Sequence, residues 1–369
     1  MSHGSESLTG LRVVELAALG PAPHAAMILA DHGAEVVRIV RPTHASPVVD
    51  DVELSELMTR NKRTLVVNLK DPAGLSGAAR LIDHCDVLIE GLRPGITERL
   101  GLGSEASCNR NPRLIYARMT GWGQSGQLAA RAGHDINYLA LSGTLDAIGR
   151  AGERPLAPLN LVGDFGGGSM LLVIGILMAL LERERSGRGQ VVDAAMLDGI
   201  ALLSEMLLEM KGSGAWSDQR GENLLDSGAP FYDTYVCADG RFVAVGALEP
   251  QFYRALIDGL GLNMDELPPQ TDQIGWPKLR FAFASVFLLH TRDEWTQTFA
   301  GTDACVTPVL TTAEAVSDVH LASRQTFRVI DGVIQASPAP RMSRTPAKIP
   351  KSQVSTDLNQ LLNEWSACP

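Results

Sequence analysis

LRVVELAALGPAPHAAMILADHGAEVVRIV, residues 11–40, holds the first complete folding unit of the chain. Residues 11–16 form an apolar strand candidate. Gly20-Pro21-Ala22-Pro23 breaks that pattern, because proline removes a backbone donor and fixes φ. Residues 24–32 then read as a helix, with Ala25, Ile28 and Leu29 on one side. Gly33 stops it, and residues 34–40 make a second strand. Strand, helix and strand in so short a span form a βαβ unit, whose crossover is right-handed.

The unit repeats loosely. Residues 63–69 read as a strand, 73–84 as a helix, 87–90 as a strand, and 114–118 and 190–194 as two more. Such alternation predicts an α/β fold with an open parallel sheet wrapped by helices. The first turn lacks GxGxxG, which argues against a nicotinamide-dependent dehydrogenase. From residue 229 the pattern changes. Two alternating runs, 233–237 and 241–245, flank Asp239-Gly240 and predict a hairpin. Helices over 250–259 and 278–289 and a strand over 307–310 complete a smaller α+β unit. The expected organisation is a large Rossmann-like domain from 1–199 and 325–369, a Gly- and Ser-containing linker over 200–226, and a small domain over 227–324. From Ser337 on, Pro338, Pro340, Pro346 and Pro350 predict an extended strap.

The 369 residues carry a net charge of −10, with 45% hydrophobic and 20% charged residues. That composition is ordinary for a globular enzyme. Its sign argues against a nucleic-acid or anionic-membrane partner. A local basic pocket could still hold a polyanion. The five cysteines are scattered without CxxC or a Cys/His cluster, so no metal site is expected. They suit a reducing, cytoplasmic setting. Residues 1–10 lack the apolar core of a signal peptide. The closing Ser366-Ala367-Cys368-Pro369 matches no peroxisomal or prenylation signal. The longest apolar run, residues 170–181, spans 12 residues, short of the roughly 18–20 that a bilayer needs.

Two islands carry candidate chemistry, Ala132-Gly133-His134-Asp135-Ile136-Asn137-Tyr138 and Leu161-Val162-Gly163-Asp164-Phe165-Gly166-Gly167-Gly168. Each places a proton carrier just ahead of a helical pattern, with glycines that would let a ligand approach the backbone. Asp135 and Asp164 also read simply as helix caps, and His134 as structural. Asp164-Phe165-Gly166 lacks the other protein-kinase motifs, and the glycine triplet lacks the Lys-Ser/Thr of a P-loop. The basic positions Arg38, Arg41, Lys62, Arg63, Lys70, Arg93 and Arg99 read mostly as surface charges. Several fall at strand ends, where ligands dock on doubly wound sheets.

Together, the following segments resemble the α-methylacyl-CoA racemases, a branch of the family III CoA-transferases. They are Gly10-Leu11-Arg12-Val13-Val14-Glu15-Leu16, Asp86-Val87-Leu88-Ile89-Glu90-Gly91 and Arg113-Leu114-Ile115-Tyr116-Ala117-Arg118-Met119-Thr120-Gly121-Trp122-Gly123-Gln124. Gly133-His134-Asp135, residues 160–168 and Gly189-Gln190-Val191-Val192-Asp193-Ala194 complete the set. The resemblance extends over about residues 11–345. It implies an interlocked homodimer, with the site where the large domain of one subunit meets the small domain of the other. It places the racemase His and Asp on His134 and Asp164, and a supporting Glu on Glu249. It places CoA contacts on Arg41, on Val67, Asn68, Leu69 and Lys70, on Gly91, Leu92 and Arg93, on Arg99, and on Gly133, Asp135, Ile136, Asn137 and Tyr138. Leu92 stands where relatives carry an aromatic residue.

The chemistry so implied interconverts (2R)- and (2S)-2-methylacyl-CoA without a separate cofactor, CoA being part of the substrate. One base removes the acidic α-hydrogen, and a conjugate acid on the opposite face returns a proton. Imidazole titrates near neutrality and suits either role, whereas an Asp must be raised to act as an acid. Burial under the acyl tail would raise Asp164, and a helix start just downstream would lower it. The amides of Asp135 and Ile136 are expected to receive the enolate oxygen. The alternative is a family III CoA-transferase in which Asp164 is the nucleophile.

Overall fold

The computed structural model describes residues 6–42, 58–330 and 332–366. Residues 1–5 and 367–369, at the two ends considered above for targeting signals, lie outside them. The elements in order are β1 (Arg12–Leu16), α1 (Pro21–Asp31), β2 (Glu35–Val40), β3 (Arg63–Val66), α2 (Pro72–Asp83), β4 (Val87–Glu90), α3 (Ile96–Arg99), α4 (Ser104–Arg110), β5 (Ile115–Thr120) and α5 (Asp135–Leu141). A π-helix, Leu161–Met170, runs straight into α6 (Leu171–Ser186), followed by β6 (Val191–Ala195), α7 (Met196–Leu203) and α8 (Glu205–Gly212). The chain goes on through β7 (Tyr232–Val236), β8 (Phe242–Gly246), α9 (Pro250–Gly259), α10 (Trp276–Phe287), α11 (Arg292–Thr298) and β9 (Val306–Pro308). It closes with α12 (Thr312–Ser317), α13 (Val319–Ser323), β10 (Phe327–Ile330), β11 (Val333–Ala336), β12 (Val354–Ser355) and α14 (Leu358–Ser366).

Seven strands form one parallel sheet in the order β12-β3-β2-β1-β4-β5-β6. Leaving aside β12, this is the doubly wound order, with its switch point between β1 and β4. The central strands are mostly apolar because helices cover both faces: Val13, Val14, Val87, Leu88, Ile89 and Ile115 are all fully buried. The expected α/β class with a parallel sheet is what the chain adopts.

The proline break proved to be a helix start. α1 begins at Pro21, with Gly20 as its N-cap at φ 67°. Proline's missing N–H costs nothing in a first turn, where amides have no intrahelical acceptor. The tail is also not a bare strap. β12 adds to the sheet edge beside β3, with Val354 opposite Arg63. α14 then packs on α2 and buries Leu361, Leu362 and Trp365. A two-residue strand carries no readable alternation, which is why the prolines dominated the pattern.

Two compact units divide the chain. One comprises Met1–Ser142, Leu159–Ser204 and Ser323–Pro369; the other comprises Gly143–Pro158 and Glu205–Ala322. Residues 143–158, expected in the large domain, therefore group with the second unit. So do residues 205–226, expected as linker. That stretch is polar because its polar groups bind one another. Arg220 donates to the carbonyls of Asp146 and Glu153, and Asn223 and Asp226 lock the following turn. The second unit carries the antiparallel sheet β7-β8-β9 over an aromatic core that includes Tyr235, Phe283, Phe287 and Trp295.

The continuous helix Leu161–Ser186 has the length and apolarity to cross a membrane, where the sequence pattern stopped at 12 residues. Here it packs on β5, β6, α1 and α7. It is a sheet-covering helix with one open face.

Candidate active site

The site grows from the π-helix. Ten consecutive residues in π geometry are rare, and short π segments cluster at functional sites. The glycines explain how this one packs. A Cβ at Gly199 of α7 would run into the carbonyl of Gly167. One at Gly167 would sit 2.8 Å from the Ile200 nitrogen, and one at Gly168 3.0 Å from Pro21 Cβ. The triplet thus serves helix–helix contact with α7 and α1 rather than ligand approach. Asp164 lies within the first turns of the helical segment, not upstream of a start at Met170.

Asp164 is half-buried. Its Oδ2 accepts from Asn160 Nδ2 at 3.2 Å, and its main-chain N–H donates to Asp135 Oδ2 at 2.7 Å. It rests against the N-cap of α1, where a Cβ on Gly20 would be 3.3 Å from Oδ2. Burial holds its carboxyl above the ordinary carboxylate range; the Asn160 hydrogen bond pulls it down, Asp135 pushes it up, and the charge on His134 pulls it down. That direction is the one an acid catalyst needs. The positive end of α1 opposes it less than usual, because Pro21 and Pro23 remove two first-turn amides.

His134 is the exposed N-cap of α5, and its N–H donates to Asn137 Oδ1 at 3.0 Å. Gly133 just before it is held by aromatic packing. A Cβ there would lie 2.8 Å from Tyr138 and 2.9 Å from Trp122, and the Tyr138 hydroxyl donates to the Gly133 carbonyl at 2.6 Å. The room expected at Gly133 for a thioester is therefore filled by rings. Tyr138 is 5% exposed and Asp135 6%, so what they offer a ligand is main chain rather than side chain.

Most of the expected CoA contacts fall on loops that leave the carboxyl ends of parallel strands β3, β2 and β4, with β1 lying between the last two. Arg41 follows β2, Val67 to Lys70 follow β3, and Gly91 to Arg93 follow β4. Arg41, Asn68, Lys70, Arg93 and Arg99 are exposed. Gly91 lets this loop close on the segment leading into α1, since a Cβ would meet Ala18 at 2.9 Å and Ala22 of α1 at 3.2 Å. Leu92 packs partly buried against the core, while Ile136 and Asn137 are exposed on α5.

Three of the basic positions are structural. Lys62 is fully buried and donates to Glu15 Oε2 at 2.7 Å and to the Pro23 carbonyl at 2.8 Å. Arg38 lies 3.4 Å from the other oxygen of Glu15. Arg63 is shared between Glu35 and Glu364. These bonds leave none of the three as a surface phosphate ligand. Glu249 belongs to the second unit, where it is the exposed N-cap of α9. Sequence patterns gave no sign of Gly20 or the Asp135 carboxylate as parts of the site, because both act on Asp164 through contacts distant along the chain; Asn160 lies only four residues from Asp164.

The fold and this site define the class: the chain belongs to CoA-transferase family III, whose model matches residues 8–355. Within that class it is 51% identical to the alpha-methylacyl-CoA racemase of Mus musculus over 92% of this chain and 87% of that one. It is 51% identical to that of Homo sapiens over 92% and 88%. The crystal structure of a CAIB/BAIF family protein from Brucella suis has the same fold, with a TM-score of 0.82 at 24% identity over 99% of this chain and all of the other.

Proposed function

We propose that this chain is a racemase of 2-methyl-branched acyl-CoA thioesters that moves a proton between the two faces of C2. The observation that carries the proposal is the joining of the two islands, with the carboxylate beside His134 holding the amide of Asp164. Its 51% identity to two mammalian racemases supports the same reading.

The thioester carbonyl acidifies the α-hydrogen. Neutral His134 takes that proton while the C–H electron pair moves onto the carbonyl oxygen, giving an enolate. Protonated Asp164 then donates to the opposite face as the pair returns to carbon. The reverse direction starts from ionised Asp164 and charged His134, so the pair shares one proton. Main-chain N–H groups of Asp135 and Ile136 would receive the enolate oxygen. Arg41, Lys70, Arg93 and Arg99 would meet the CoA phosphates, and Glu249 would orient the imidazole. This chemistry calls on no cofactor beyond the CoA of the substrate.

The test is incubation of a single-enantiomer 2-methylacyl-CoA in deuterated water. Deuterium entering C2 with loss of optical purity, and with no acceptor acid present, is the expected result. Transfer of CoA to an added carboxylic acid with C2 untouched would instead make Asp164 a nucleophile.

We further propose that the chain acts as a homodimer. Met170 precedes α6, and Ile174, Leu177, Met178 and Leu181 lie along it. All five are exposed at a spacing that puts them on one face. Such a stripe is what a second copy would cover. Sedimentation at assay concentration should give twice the chain mass, and a monomer that is fully active would refute it.

A further inference from the structure

Asp135 follows His134 directly in sequence, yet its side chain serves the other proton carrier. Its Oδ2 takes the Asp164 N–H at 2.7 Å. Gly163 makes this possible, since a Cβ there would stand 2.5 Å from the same oxygen. The residue is 6% exposed, and no donor among the described residues reaches its buried Oδ1. A carboxylate so buried with one neutral N–H donor is costly.

We propose that Asp135 is a positioning residue for racemisation: it clamps the turn of Asp164 to the turn of His134, and its negative charge favours the proton-bearing form of Asp164. This rests on reading His134 and Asp164 as the proton carriers. The other groups around Asp164 leave that influence to Asp135. His134 acts in the opposite sense. The Tyr138 hydroxyl is engaged by Gly133. From α1, His24 faces Phe165 and Ser169. From α7, the residues against the π-helix glycines are the uncharged Gly199, Ile200 and Leu203. On β5 and β6, Arg118 is tied to Glu90 and Glu98, and Asp193 accepts from the Gln124 main chain.

Asp135→Asn keeps an acceptor for the Asp164 N–H and removes the charge. The pH profile of kcat/KM should be measured for it, for the wild type and for Asp164→Asn, on one 2-methylacyl-CoA enantiomer. The acid limb of Asp135→Asn should move down by about one pH unit. Its plateau should fall roughly tenfold as the proton-bearing Asp164 becomes scarcer. If Asp135→Asn does not fold, Asp135→Ser carries the same expectation. An acid limb that stays in place in a folded neutral variant overturns the proposal, whatever the loss in rate. An active Asp164→Asn would instead overturn the assignment of the proton carriers. An inactive Asp164→Asn beside an Asp135→Asn profile superimposable on the wild type would overturn this inference alone.

Discussion

Asp164→Asn is expected to end racemisation while leaving half of the proton chemistry running. The amide cannot deliver or take a proton, and loss of one general acid–base group lowers turnover by roughly 10²–10⁴-fold. His134 is untouched, and the amide of residue 164 still reaches Asp135 as it does now at 2.7 Å. The enantiomer whose α-hydrogen faces His134 should therefore still exchange it with deuterated solvent, now with retention at C2. His134→Ala should show the mirror image, exchange of the other enantiomer alone through Asp164. Chiral chromatography with mass spectrometry of the recovered acyl-CoA separates inversion from exchange. If either single variant exchanged both enantiomers at equal rates, a one-carrier mechanism would replace the two-carrier one.

Lys62→Met should cost the large unit about 3–5 kcal/mol, the usual result of stripping one partner from a buried ion pair. Both Lys62 and Glu15 have fully buried side chains, and the ammonium also holds the Pro23 carbonyl at 2.8 Å. Burial pushes the Lys62 ammonium below the ordinary lysine range, and Glu15 acts against that. Without it the Glu15 carboxylate keeps, among the described residues, only Arg38 as a cationic partner, at 3.4 Å. The first turn of α1, on which Asp164 rests, loses its tie to the sheet. Guanidinium midpoints followed by circular dichroism measure the loss. The double variant Glu15→Leu/Lys62→Met should recover much of it, because the stranded charge is gone. An unchanged midpoint in Lys62→Met would show that the pair contributes nothing to the fold.

The basic residues show how far one-dimensional patterns reach. Lys62 and Arg93 look alike on paper, each a cation near a strand. Lys62 is fully buried under α1 and Arg93 is exposed beyond the carboxyl end of β4. What separates them is the acid that meets Lys62 from Glu15 on β1, which is a long-range partner. Gly167 and Gly199 carry a similar lesson. A glycine row ahead of an apolar helix suits a ligand cradle and a helix contact equally well, and backbone crowding assigned this one to contact.

The alternation of short apolar runs with helical periods was enough to establish a parallel α/β sheet, since strands buried on both faces are largely apolar. Turn chemistry likewise placed the hairpin at Asp239-Gly240, and the two islands singled out His134 and Asp164 as candidates. Those are local properties, legible wherever the controlling interactions span only a few neighbours. The π-helical setting of Asp164, its hold by Asp135 and the docking of β12 and α14 depend on groups far apart along the chain. Contacts of that kind exist only once the sheet has brought their partners together, so no local pattern encodes them.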